Sequence, residues 1–163
     1  MAATDKPRVS AHCDPKITAH NRLAFIVDGA SFNIGSAFLE GNTVLPTFVR
    51  TLTSSPLLIG MVSAVRGFGY LMPQIFVAGY IENRPMKKPF MMKVGYVMRA
   101  AGILMALSAL IAKSNPNLAL PVFFGALVVF SFSDGLGGLP WMDIVARTIP
   151  PDRRGRMFGT QQA

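Results

Sequence analysis

The ionisable residues Asp28, Glu40, Arg66, Arg99 and Asp134 fall well inside long apolar stretches of a 163-residue chain. A charge held at the centre of a lipid-embedded helix costs about 2.5–3.5 kcal/mol on insertion scales, so such groups face a partner or a polar cavity and are functional candidates. The chemistry open to them is ion pairing, carriage of an ion or proton, and binding of a charged solute. Asn33, Ser36, Tyr70 and Gln74 add uncharged polar groups that either line a cavity or bond to a neighbouring helix. Asp28, Asn33, Glu40 and Arg66 are the candidates for contact with a substrate or coupling ion.

Bond-making chemistry lacks its signatures. Both histidines, His12 and His20, precede the first apolar stretch, so no His-Glu-xx-His helix exists, and neither Gly-x-Ser-x-Gly nor a phosphate-binding Gly-Lys-Ser/Thr occurs. The Gly67-Phe68-Gly69 and Gly135-Leu136-Gly137-Gly138 runs have no strand before them, which leaves dinucleotide binding unsupported. Cys13 is the single cysteine and excludes an internal disulfide or a cysteine zinc cluster. The ten methionines read as apolar filling. No catalytic residue, metal site or cofactor is expected.

The elements that must position these groups are spans. Hydrophobic residues make up 51% of the chain and charged ones 15%, the balance of a bilayer protein and not of a soluble domain. About 20 apolar residues cross roughly 30 Å of hydrocarbon, and residues 23–48, 57–80, 91–112 and 118–141 qualify. A polar tail (1–22) precedes them, basic loops occupy 81–90 and 142–156, and 157–163 begins a further helix. Pro56 suits the first turn of the second span, while Pro73 is a candidate bend within it. Pro150 and Pro151 block helix continuation before a fresh start near Arg153 or Arg156.

Depth along the spans sorts the charges. Counting about 1.5 Å per residue, Asp28, Arg99 and Asp134 form one cluster in the inner half, and Glu40 with Arg66 form an outer pair. Gly60-xxx-Ala64, Ser63-xxx-Gly67, Gly102-xxx-Ala106 and the Gly29, Gly35, Gly41 series mark faces where helices can approach closely.

A net charge of +8 raises the question of nucleic acid. The basic residues, however, gather in the tail and in alternate loops, with Arg50 and Lys113 alone in the intervening turns. That is the pattern of the positive-inside rule, which puts both basic loops and the N-terminus in the cytoplasm. No nucleic-acid partner is expected; the partner is the lipid bilayer. The first twenty residues, with Asp5, Asp14 and two prolines, do not resemble a cleavable signal peptide.

The stretches Ala78-Gly79-Tyr80-Ile81-Glu82-Asn83-Arg84-Pro85-Met86-Lys87-Lys88 and Ile149-Pro150-Pro151-Asp152-Arg153-Arg154-Gly155-Arg156 carry a resemblance in order and spacing. With the spans around them, the chain from about 21 to 162 resembles the front third of a major facilitator superfamily permease. The family loop usually has Asp followed by a Gly-Arg-Arg-like run, where this chain has Glu82, Pro85 and Lys87-Lys88. The loop serves equally as a plain positive-inside anchor.

The resemblance implies an all-α multi-pass transmembrane bundle, a partial fold of that family. It implies secondary active transport of a small-molecule solute by alternating access, in a bacterial inner (plasma) membrane, completed by missing C-terminal helices of the same chain. It points to Glu82, Arg84, Lys87, Lys88, Asp134 and Arg154 as conformational-switch positions, with Asp134 exchanging partners among Arg99, Arg84 and Arg154. On this expectation the chain is a fragment that inserts without transporting. A complete four-span scaffold or assembly protein is the alternative.

Overall fold

The computed structural model describes residues 15–82 and 88–162, and those residues are helical, with no strand among them. The elements are α1 (Pro15–Phe38), α2 (Val44–Leu52), α3 (Pro56–Glu82), α4 (Lys88–Ile111), α5 (Pro116–Thr148) and α6 (Pro151–Gln162). Three of them, α3 over Pro56–Val77, α4 and α5, are long and apolar enough to cross a bilayer. Arg84 and Lys87 lie outside the described residues, and Glu82 is placed only as the last residue of α3.

The first expected span, 23–48, is not one helix. Helix α1 begins at Pro15, inside the expected tail, and ends at Phe38; a five-residue break then separates it from α2. The break falls on Leu39-Glu40-Gly41-Asn42-Thr43, where Gly41 and Asn42 are poor helix formers. The Glu40 carboxylate holds it in place, its Oε1 accepting from the Asn42 backbone N–H and Nδ2, both at 3.0 Å. Hydrogen bonding shifts from Leu39 N–H to Ser36 O before the break to Leu45 N–H to Glu40 O across it. Pro46 lies in the first turn of α2, where a missing N–H costs nothing.

The other ends follow local chemistry more directly. Asn115 caps α5, its side chain accepting from the Leu118 N–H, with Pro116 at the first helical position. The fourth expected span stopped at Trp141, but α5 runs through Pro140 to Thr148. Pro150 and Pro151 stop it, and α6 restarts at Pro151, earlier than the expected 157. Pro73 sits within a continuous α3.

Helix α5 is the hub: α3 and α4 pack along it, while α1 is held mainly by α6 and touches α5 little. Two apolar cores result. One gathers Leu45, Val49, Val62, Met105, Phe123, Leu127 and Phe130 from α2 to α5. The other, near the far end of α5, joins Val145, Ile149 and Met157 to Phe25, Trp141 and Phe158.

Helices α3 and α5 approach each other closely at two glycines. A Cβ on Gly135 would strike the carbonyl of Tyr70, and one on Gly69 would lie 2.7 Å from Ser131 Cβ. The expected small-residue faces divide: Gly29 and Gly41 lie tight against the side chains of Gln161 and Arg66, whereas Gly60, Gly67 and Gly35 meet nothing within 4 Å, and Gly102 only the Phe130 ring at 3.8 Å. Composition alone marks both kinds of glycine identically; the packing partner decides which ones are tight.

Candidate functional site

Arg66 occupies the middle of the apolar stretch Pro56–Val77, about 15 Å from the start of α3 at 1.5 Å per residue. The α1–α2 break lies at the same level. Ser63 Oγ donates to Gly41 O at 2.7 Å, and a Cβ on Gly41 would lie 2.8 Å from Arg66 Cγ, so the arginine stem rests on that glycine. From there the guanidinium crosses the face of Phe130, 5.0 Å from the ring centroid, a favourable placement for a cation. It ends on Asp134 of α5, Nη1 lying 2.8 Å from Oδ2.

The two side chains keep only 20% and 13% of their surface exposed, so screening of this pair is weak. Buried Nη1 makes no hydrogen bond, which means its N–H directions miss the carboxylate and the attraction is one of charge. Ser131 Oγ, one turn earlier on α5, is also buried without a partner.

This pairing corrects two expectations. Glu40 and Arg66 line one recess of about 200 Å³, with Ser36, Asn42 and Ser63, but form no ion pair. Glu40 is turned onto its own break by Asn42, whereas the Gly69–Gly135 contact brings α5 against α3 and offers Asp134 instead. The depth assignment failed because α5 is longer than expected. With its end at Thr148, Asp134 moves from the last turns of the helix to near its middle.

Nor does Asp134 meet Arg99 or Arg154. Arg99 Nη1 donates to Gly95 O one turn back along α4, while Arg154 donates from Nε to Ile149 O at 2.8 Å and from Nη2 to Ala146 O. A basic side chain on the last carbonyls satisfies acceptors that α5 leaves open and complements its dipole. Lys88 is the exposed first residue of α4.

Asp28 accepts from Trp141 Nε1 at 3.2 Å. Tyr70 abuts Gly135, so Trp141 lies about 15 Å along the helices from the level of Arg66. Asp28 therefore lies well away from the level of the Arg66–Asp134 pair. It shares a wide recess of about 540 Å³ with Arg99, His20 and Ser31, between α1 and α4. Asn33 Nδ2 donates to Gln161 O, and Gln161 Nε2 donates to Phe25 O, tying α1 to α6. A Cβ on Gly29 would collide with the Gln161 side chain.

Sequence reasoning missed Phe130, Trp141, Gln161 and the Gly69–Gly135 contact as site-forming. Trp141 alone carried a signal, as the single indole at the end of an apolar stretch. Among the described residues no cluster of His, Cys, Asp and Glu could hold a metal ion.

Comparison with family models, with curated proteins and with solved structures returned no match. The class rests on the fold: an all-helical chain with three helices long and apolar enough to cross a bilayer, the make-up of a membrane protein.

Proposed function

We propose that the chain belongs to a secondary active transporter that moves a small solute by alternating access, of the major facilitator kind that its loops resemble. The observation that carries this reading is the Arg66–Asp134 pair, lying at mid-depth on two membrane-length helices beside a broken helix and a polar recess. Charges at that depth mark ion and solute pathways, and discontinuous helices near the midplane build the sites of many transporters. An inert scaffold has no use for either.

In this proposal the basic ends, at Lys88 and at Arg147, Arg154 and Arg156, face the cytoplasm of a bacterial inner membrane. The Arg66–Asp134 pair replaces the expected Asp134 exchange as the charge contact to follow. Uptake into membrane vesicles, with the protein encoded by the whole gene and a panel of small solutes, is the test. Saturable uptake lost in Asp134→Asn at unchanged expression supports the reading; uptake indifferent to both Asp134→Asn and Arg66→Gln refutes it.

A further inference from the structure

We propose that α1 is a strap that closes on α4, the Asp28 carboxylate leaving Trp141 to pair with the Arg99 guanidinium. The movement stands on the fold alone; its use as a gate rests on the transporter reading.

Two opposite charges face one recess without meeting. Asp28 and Arg99 both line the opening of about 540 Å³ between α1 and α4, yet among the described residues neither takes part in an ion pair. Asp28 accepts from Trp141 Nε1 at 3.2 Å, and Arg99 Nη1 donates to Gly95 O within its own helix, also at 3.2 Å. Arg99 stands near the middle of α4, a helix of membrane length, where a cation without a countercharge is costly. The other carboxylates at such depth are taken, Asp134 by Arg66 and Glu40 by Asn42. Arg99 also points the right way. Its Nη1 reaches back toward Gly95, and Val94 lies against Gly137, so that direction leads along α5 toward Trp141 and Asp28.

The packing leaves α1 able to move. Every residue from 31 to 38 except Ser36 is exposed, and eight successive residues at 3.6 per turn cover all sides of the helix. Few packed contacts of this kind mark the segments that open first. The helix is held at its two ends. Phe25 meets Trp141 edge-on with ring centroids 6.1 Å apart, and Gly41 rests on the Arg66 stem beside the Ser63 bond. Gln161 bonds to both Phe25 and Asn33, so α6 travels with α1 as one body. That body joins the rest at the unwound turn 39–43 and at Pro150, and backbone at the ends of helices is where hinge rotation is absorbed.

A small rotation suffices. Asp28 lies 12 residues before Glu40, a lever of about 18 Å, so a tilt of about 15° about the break carries it about 5 Å. Leu23, Ala24 and Val27 give α1 an apolar wall on the recess, and closure replaces the opening by side-chain packing, the force that joins helices in lipid.

The test is double electron–electron resonance on the full chain in lipid nanodiscs, with Cys13→Ser and spin labels at Phe32→Cys and Ile103→Cys, two exposed positions outside the recess. Two distance populations are expected, the shorter by about 5 Å. Asp28→Asn keeps an acceptor for Trp141 but removes the charge, and should abolish the shorter population, as should Arg99→Gln. The exchange Asp28→Arg with Arg99→Asp should restore it, and Trp141→Phe, which deletes the competing N–H, should enlarge it several-fold, each variant keeping its helical circular dichroism. A single distance in the parent chain overturns the inference, and so does a shorter population that survives Asp28→Asn or that the charge exchange fails to restore. Solute uptake by a protein with one fixed distance would sink the strap and spare the transporter, whereas distances that follow the pair without any uptake would do the reverse.

Discussion

Replacing Gly135 by alanine tests the architecture at its tightest point. The new methyl group would be driven into the backbone carbonyl of Tyr70, with the Gly69 carbonyl 3.2 Å away. A side chain could rotate aside; a carbonyl hydrogen-bonded within α3 moves only with its helix. Overpacking typically costs about 1–3 kcal/mol, and this case belongs at the upper end. Alanine returns about 0.5–1 kcal/mol through its better helix propensity. The net expectation is about 2 kcal/mol of destabilisation, roughly a 30-fold change in the unfolding equilibrium at 1.4 kcal/mol per decade.

Gly67→Ala is the internal control. It lies on α3, the helix that Gly135 presses against, meets nothing within 4 Å, and should be neutral or gain the propensity term alone. Because α3–α5 separation moves Asp134 away from Arg66, Gly135→Ala should also weaken the ion pair. The assay is denaturant unfolding of the full chain in mild detergent, followed by circular dichroism and Trp141 fluorescence. Equal midpoints for Gly135→Ala and Gly67→Ala would show that α3 and α5 are not in backbone contact, and the placement of Asp134 would go with it.

Other consequences follow from the same contacts. Asp134→Leu strands a mostly buried Arg66 charge and should destabilise by about 3 kcal/mol, the lower end for broken buried pairs, while the double variant Arg66→Met with Asp134→Leu should recover most of it; a double variant no better than Asp134→Leu refutes the pairing. Arg154→Ala removes the basic cap on the α5 C-terminus and should cost about 1 kcal/mol, read as a lower unfolding midpoint; an unchanged midpoint means the cap contributes nothing. For topology, with Cys13 removed, single cysteines at Met86 and Asn115 should react with an impermeant thiol reagent from opposite sides of the membrane. Labelling of both from one side overturns the arrangement.

What the sequence by itself determined is the part ruled by composition and local chemistry. Long apolar runs punctuated by Pro56, Asn115-Pro116 and Pro150-Pro151 define α3, α4 and the start of α5, because a proline or cap acts on the turn that contains it, while α5 runs on past 141 and α6 begins earlier than expected. The same sequence picked out the charges that lie inside apolar stretches, since the cost of a charge in an apolar helix depends on its type and surroundings along the chain. Tertiary structure decided which of them meet. Counting depth along the expected spans offered Arg66 only Glu40, and the choice of Asp134 instead followed from the glycine contact between α3 and α5, which no periodicity encodes. The break at Glu40-Gly41-Asn42 belongs to the same category: Gly41 and Asn42 permit it, but the packing of Gly41 on Arg66 and the Ser63 bond hold the unwound turn in place. Local preferences in an apolar stretch are worth less than about 1 kcal/mol per residue, so contacts made by the neighbouring helix settle where the chain bends and which charge finds its counterpart.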